Sequence, residues 1–368
     1  MKKKILSALL CGAMAASLLA GCSGAKDGGT EAGGTSSGGS GDGKALVGVA
    51  MPTKDLQRWN QDGANMKEQL EAAGYDVDLQ YASNEVATQV SQIENMISNG
   101  CDILVIASIE GDSLGTVLAQ AKEADIPVIA YDRLIMNSDA VSYYATFDNY
   151  MVGTKQGEYI VEALDLENAD GPFNIELVTG DPGDNNAKFF FGGAMDVLQP
   201  YIDEGKLVVQ SGQTEFDEVA TANWATETAQ ARFENILASN YADGTTLHAV
   251  LASNDSTALC VANALAANYT GDYPVLTGQD CDIANVKNML AGKQSMSIFK
   301  DTRTLASKVV EMVDAVLQGK EAPVNDTESY DNGSVIIPSY LCEPVFADAD
   351  NYKELLIDSG YYTEDQLQ

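Results

Sequence analysis

Charged and amide side chains follow short apolar runs along most of this chain, and their types suit the holding of hydroxyl groups better than the breaking of bonds. Lys54, Arg58 and Trp59 come after the first run, Ser108 and Glu110 after the third, Asp132 and Arg133 after the fourth, and Asn149 after the fifth. Later runs are followed by Asn185, within the stretch Gly180 to Asn186, and then by Asn254, Asp280 and Lys300. A carboxylate accepts from two adjacent hydroxyls while a planar guanidinium beside it donates in a fork, so Asp132 and Arg133 offer what a vicinal diol needs. Trp59 and Trp224, the two tryptophans of the chain, present apolar faces suited to the C–H surface of a pyranose. Asp and Asn in such positions also open helices as N-caps, which is the role expected of Asp112, Asp255 and Asp301. Arg and Lys oppose the positive start of a helix, so their recurrence in the same loops exceeds what capping requires.

Catalysis has little support. The single histidine, His248, opens a predicted strand and reads as structural. The chain has no P-loop, no GxGxxG and no GxSxG, so neither a phosphate cradle nor a nucleophile elbow is indicated, and no cofactor or metal is expected. Carboxylates abound at this composition, which leaves a glycosidase pair open on residue type alone, without a positive signal.

Loops rich in such groups must be carried by a scaffold, and the alternation of short apolar runs with longer segments of helical period predicts an α/β protein with parallel sheets. Predicted strands are Ala45 to Met51, Val77 to Tyr81, Ile103 to Ala107, Val128 to Tyr131 and Val141 to Phe147 in a first unit. A second unit has Asn174 to Thr179, Leu207 to Gln210, His248 to Ala252, Val275 to Thr277 and Met296 to Phe299. In the helix Val86 to Asn99, Val86, Val90, Ile93, Met96 and Ile97 recur at three and four residues and Gly100 supplies the stop. The join falls near Asp148 to Gly153. A helix over Thr302 to Gly319 and a strand starting at Val335 to Pro338 predict that the chain crosses between the units more than once. The division expected is 45–148 plus 302–331 for one lobe and 149–301 plus 332–368 for the other. Ligands of open parallel sheets sit at the carboxyl ends of the strands, where the polar residues above are found.

The ends of the chain read differently. Lys2, Lys3 and Lys4 precede an apolar run from Ile5 to Ala20, which makes 1–21 a secretory signal too short to span a bilayer. The tetrad Leu19-Ala20-Gly21-Cys22 resembles the lipobox of bacterial lipoproteins, implying acylation of Cys22 and an extracytoplasmic body anchored to the cell membrane. Residues 22–44 are a Gly- and Ser-rich flexible tether, with a mean reach of roughly 25 Å. The formal net charge of -33 repels nucleic acid and anionic headgroups, so contact with the membrane is expected through the lipid alone. Cys101, Cys260, Cys281 and Cys342 show no CxxC or zinc spacing, and their pairing is open.

The segments VGVAMPTKDLQRW (Val47 to Trp59), VIAYDRLI (Val128 to Ile135), NIELVTGDPGDNNA (Asn174 to Ala187), LASND (Leu251 to Asp255), TGQD (Thr277 to Asp280) and SIFKDTR (Ser297 to Arg303) resemble the type I periplasmic sugar-binding proteins of ABC importers, in the branch of xylose and multiple-monosaccharide receptors. That resemblance implies two doubly wound, Rossmann-like domains joined by a three-segment hinge. It implies an aldopyranose such as xylose, glucose, galactose or arabinose as ligand, with Lys54, Arg58, Trp59, Asp132, Arg133, Asn149, Asn185, Trp224, Asn254, Asp280 and Lys300 in contact with it. Importer permease subunits are the implied partners, with a sensor kinase as a further partner for some receptors of this branch. Receptors for a furanose signal, a nucleoside or an amino acid, and an exported carbohydrate-active enzyme, are the competing readings.

Overall fold

The computed structural model describes residues 43–367; the expected signal, Cys22 and nearly all of the tether lie outside them. The elements run β1 (Leu46–Met51), α1 (Gln57–Ala73), β2 (Asp76–Tyr81), α2 (Val86–Ser98), β3 (Ile103–Ile106), α3 (Gly115–Glu123), β4 (Val128–Tyr131), β5 (Val141–Phe147), α4 (Asn149–Ala163), β6 (Phe173–Val178), α5 (Asn185–Asp203) and β7 (Leu207–Val209). They continue with α6 (Phe216–Val219), α7 (Thr226–Asn240), β8 (Ala249–Ala252), α8 (Asp255–Asn268), β9 (Val275–Leu276), α9 (Ile283–Leu290), β10 (Met296–Phe299), α10 (Thr302–Leu317), β11 (Ser339–Cys342), β12 (Val345–Asp348) and α11 (Glu364–Leu367).

Two sheets organise them. The first has the order β11-β5-β4-β3-β1-β2, parallel throughout, and the second the order β7-β6-β8-β9, also parallel. A short antiparallel pair, β10 with β12, is tied to the end of the second sheet through the bridge Gln279 to Ile298. Strands β3, β4 and β8 are buried at every residue, as parallel strands covered on both faces must be, and this is why they read as unbroken apolar runs. Helix α2 turns Ile93 and Met96 onto the first sheet and ends where Gly100 takes the left-handed conformation, φ 78°.

The chain passes between the lobes three times, at Phe147 to Asp148, between β10 and α10, and between β11 and β12. The doubly wound α/β architecture with a three-segment hinge is therefore as the sequence predicts. Details differ. The join expected at Asp148 to Gly153 lies within the start of α4, with Asp148 as its N-cap accepting from the Met151 amide. Val335 to Pro338 does not open a strand: Val335 and Ile336 are exposed, and the paired segment is Ser339–Cys342, in register with Tyr144 to Phe147 of the first sheet. So 332–342 does not go wholly with the second lobe as expected; that lobe takes the chain back at Val345.

Smaller expectations resolve in the same way. Asp301 caps α10 through the Arg303 amide. Asn254, not Asp255, caps α8, and α3 has no side-chain cap, so Asp112 plays no such part. His248 accepts from the Asn174 amide at Nδ1, 2.8 Å, and meets Phe173 edge-on. Cys101, Cys260, Cys281 and Cys342 are buried free thiols. No helix among the described residues is long and apolar enough to cross a membrane, and among them no group of His, Cys, Asp or Glu is placed to hold a metal ion.

Candidate functional site

A cleft whose atom-free space, open solvent included, is about 450 Å³ lies between the carboxyl ends of the two sheets. Arg58, Trp59, Asp132 and Arg133 line it from the first lobe, and Asp184, Asn186, Phe190, Trp224, Asn254, Ser256, Gln279, Asp280 and Asp282 from the second, with Lys300 at the hinge after β10.

Arg58 is the electrostatic hub. Its guanidinium donates to Asp62 from Nε at 2.8 Å, to Asp280 at 3.1 Å and to Asp132, joining carboxylates from both lobes. Lys300, 2% exposed, lies 3.3 Å from Asp280 and 4.0 Å from Asp132. Burial works against charge on Asp132, but Arg58 and then Lys300 outweigh it and hold that carboxyl below the ordinary range. Burial prevails elsewhere: it pushes Asp62 up to about 6 despite Arg58, and Asp282, with Asp280 adding to the effect, up to about 7.

Asp132 and Arg133 are not a fork facing one diol. Asp132 is left-handed, φ 59°, which turns the two side chains to different partners. Arg133 donates to the carbonyls of Ser108 and Ile109 at 3.1 Å each, stacks 5.1 Å over the Trp59 ring, and has Nε 2.9 Å from Asp184 of the other lobe. The last contact lacks hydrogen-bond alignment and is ionic. Asp184 also caps α5, accepting from the Asn186 amide, and accepts from the Trp224 indole at 3.2 Å.

Trp59 lies in the first turn of α1 and not in a loop as expected; the turn begins five residues past β1, so the ring still reaches the cavity. Trp224 sits in a tight turn with φ 53°, its ring laid against Gly180, where a Cβ would enter the indole. The two indoles thus line the cavity from opposite lobes, and Phe190 meets Trp224 edge-on.

Eight of the eleven residues expected at a binding site line this cavity; Lys54, Asn149 and Asn185 do not. Lys54 points over the Tyr81 ring, 4.8 Å away. Asn149 is fully buried and donates to Thr146, whose hydroxyl in turn donates to the Asp132 carbonyl, so it supports the wall from behind. At the start of α5 the helical phase turns Asn185 away and Asn186 inward, where its amide donates to the Asp132 carbonyl at 2.7 Å. Asp184 and Asn186 lay in the polar stretch already suspect; Ser256, Gln279 and Asp282 adjoin predicted residues, and the apolar Leu56 and Phe190, which also line the cavity, carried no polar signal.

Comparison with known proteins settles the family. The model for the periplasmic binding protein domain matches residues 47–321. This chain belongs to the periplasmic binding protein family. It is 52% identical to the multiple sugar-binding periplasmic protein SbpA of Azospirillum brasilense, over 88% of this chain and 92% of that one. It is 36% identical to the D-xylose-binding periplasmic protein of Escherichia coli K12, over 87% of this chain and 92% of the relative. Among solved structures, an ABC transporter solute-binding protein from Clostridium phytofermentans with bound β-D-glucose is 79% identical, with a TM-score of 0.87, covering 88% of this chain and all of that one. As a periplasmic binding protein, the chain has its cavity at the cleft between lobes where such a fold gathers its loops.

Proposed function

We propose that this protein captures an aldopyranose, glucose or xylose in particular, between its two lobes outside the cytoplasm and delivers it to an ABC-type importer. The observation that carries the reading is the state of the charges. Arg58, Arg133 and Lys300 each already face a carboxylate in the cavity wall, so an anionic ligand or an amino acid finds no free cation to answer its carboxylate. Paired charges still donate and accept along their unused directions, which is what the hydroxyls of an uncharged ring require. Indoles from both lobes supply its apolar faces. The sugar-binding names of the relatives at 52% and 36% identity and the glucose held by the structure at 79% support the same class.

Transport follows from closure. A sugar touching both lobes stabilises the closed form by its differential affinity, and permease subunits that recognise the closed pair of surfaces receive loaded receptor. Acylation at Cys22 would keep the body at the membrane.

Calorimetry with D-glucose, D-xylose, D-galactose and L-arabinose tests the reading. Micromolar or tighter binding of at least one aldopyranose, with no turnover of aryl glycosides, is the expected result. Binding of amino acids or nucleosides with none of these sugars would overturn it.

A further inference from the structure

The sugar-facing loop after β9 contains two consecutive left-handed residues, Asp280 at φ 98° and Cys281 at φ 52°. Neither is glycine, and Asp280 lies well outside the ordinary left-handed basin, so this turn persists only because its surroundings over-determine it. Three contacts do so. The Asp280 amide donates to Ile298 at 2.8 Å, the Cys281 amide donates to the Ser297 hydroxyl at 3.1 Å, and the Cys281 carbonyl accepts from the hydroxyl of Tyr362 at 3.0 Å.

Tyr362 comes from the far end of the chain. Its ring, 4% exposed, belongs to the second-lobe core formed with Cys281, Val286, Met289 and Phe299. The same hydroxyl accepts from Gln57 Nε2 at 2.7 Å and Gln61 Nε2 at 3.0 Å, both on α1 of the first lobe. One proton donated and two lone pairs filled is the full capacity of a phenol. Gln57 then closes the loop by accepting from the Ile283 amide, 3.3 Å, two residues beyond Cys281. Gln57 directly precedes Arg58 and Trp59, and Cys281 directly follows Asp280, so one hydroxyl joins the backbone supports of both sides of the Arg58 to Asp280 ion pair.

We propose that Tyr362 is a positioning residue for the binding cleft: its hydroxyl fixes the Asp280–Cys281 turn and ties it to α1, holding the closed arrangement that grips the ligand. The C-terminal segment is in this way part of the closing device and not only a cover for the second core. This rests on the sugar-binding reading above.

The test is Tyr362→Phe in the full chain, which keeps the ring in its core and removes only the hydroxyl, with Gln57→Leu as a second variant that leaves that core untouched. D-Glucose is the probe, followed by calorimetry and stopped-flow tryptophan fluorescence. Tyr362→Phe should weaken glucose binding about tenfold, mostly through faster dissociation, with a melting temperature close to that of the parent. Gln57→Leu should move dissociation in the same direction by a smaller factor. Unchanged dissociation rates in a folded Tyr362→Phe, or in Gln57→Leu if the former does not fold, would overturn the positioning role. If the parent itself fails to bind glucose or another aldopyranose, it is the function that fails; a variant that departs from a binding parent speaks to Tyr362 alone.

Discussion

The side chains of Arg133 and Asp184 meet at 2.9 Å although one follows β4 of the first sheet and the other caps α5 of the second lobe. Their pairing makes closure of the cleft an electrostatic event as well as an apolar one. Replacing Arg133 by Ala leaves Asp184 buried without a cation and frees the Trp59 face on which the guanidinium rests. Sugar affinity should fall by about 2 to 4 kcal/mol, as expected when a buried charge loses its partner. Asp184→Asn, which still accepts from the indole, should cost less. Calorimetry of both variants decides the matter, and equal affinity in Arg133→Ala and parent would show that the pair is incidental.

The sheets were legible because parallel strands buried on both faces have to be apolar throughout: Ile103–Ile106 and Val128–Tyr131 announce themselves. Strand β11 was not. Its residues, Ser-Tyr-Leu-Cys, carry less β-branched character than the exposed Val335 and Ile336 just before it, and pairing with Tyr144 to Phe147 selects it instead. The site was legible to the extent that chemistry follows strand ends, which finds Arg58, Asp132, Asn254 and Asp280. Which of Asp184, Asn185 and Asn186 faces inward depends on helical phase at a start that composition does not locate. The partner of Arg133 is Asp184, 51 positions away in sequence and across a lobe boundary, where nothing local to Arg133 announces it.

Stability should fall as pH rises from about 4 to 7. Burial raises Asp62 to about 6 and Asp282 to about 7, above an unfolded value of about 4. A carboxyl that holds its proton more tightly when folded favours the folded state fully below its unfolded value and loses that contribution as pH passes its folded one. Asp132, held low by Arg58, works oppositely, its contribution being lost only below about pH 4. Asp282 has a buried Oδ1 without a partner, so Asp282→Asn should stabilise the protein by about 2 kcal/mol at pH 8 and by roughly a third of that at pH 5. Denaturant titrations at the two pH values measure this, and an equal effect at both would refute the assignment.

Gly180 is required by Trp224. A methyl group there would occupy the indole's place, so Gly180→Ala must either displace the ring or strain the turn after β6. The expected cost is about 1 to 3 kcal/mol of stability, as for overpacking elsewhere, together with a loss of sugar affinity and a shift in tryptophan emission. Emission and affinity identical to the parent would mean that the indole is not held by this contact.

Arg58 separates hub from spoke. Its five N–H groups serve Asp62 within α1, Asp132 in the same lobe and Asp280 in the other, whereas an ammonium at that place has three donors on a longer-range point charge and no fork. Arg58→Lys should therefore leave at least one buried carboxylate uncompensated, lowering stability by about 3 kcal/mol and abolishing measurable sugar binding. Asp280→Asn removes only the spoke that crosses the cleft. The Arg58 contacts to Asp62 and Asp132 survive within the first lobe, and Lys300 retains Asp132 as a neighbour at 4.0 Å. That variant should keep a near-parental melting temperature while its affinity for sugar drops by more than tenfold, because the carboxylate is lost from the wall and the lobes lose an ionic link. Thermal melts and calorimetry on the pair give the comparison: if Asp280→Asn is destabilised as deeply as Arg58→Lys, the cross-lobe pair supports the fold itself and not the closing of the cleft.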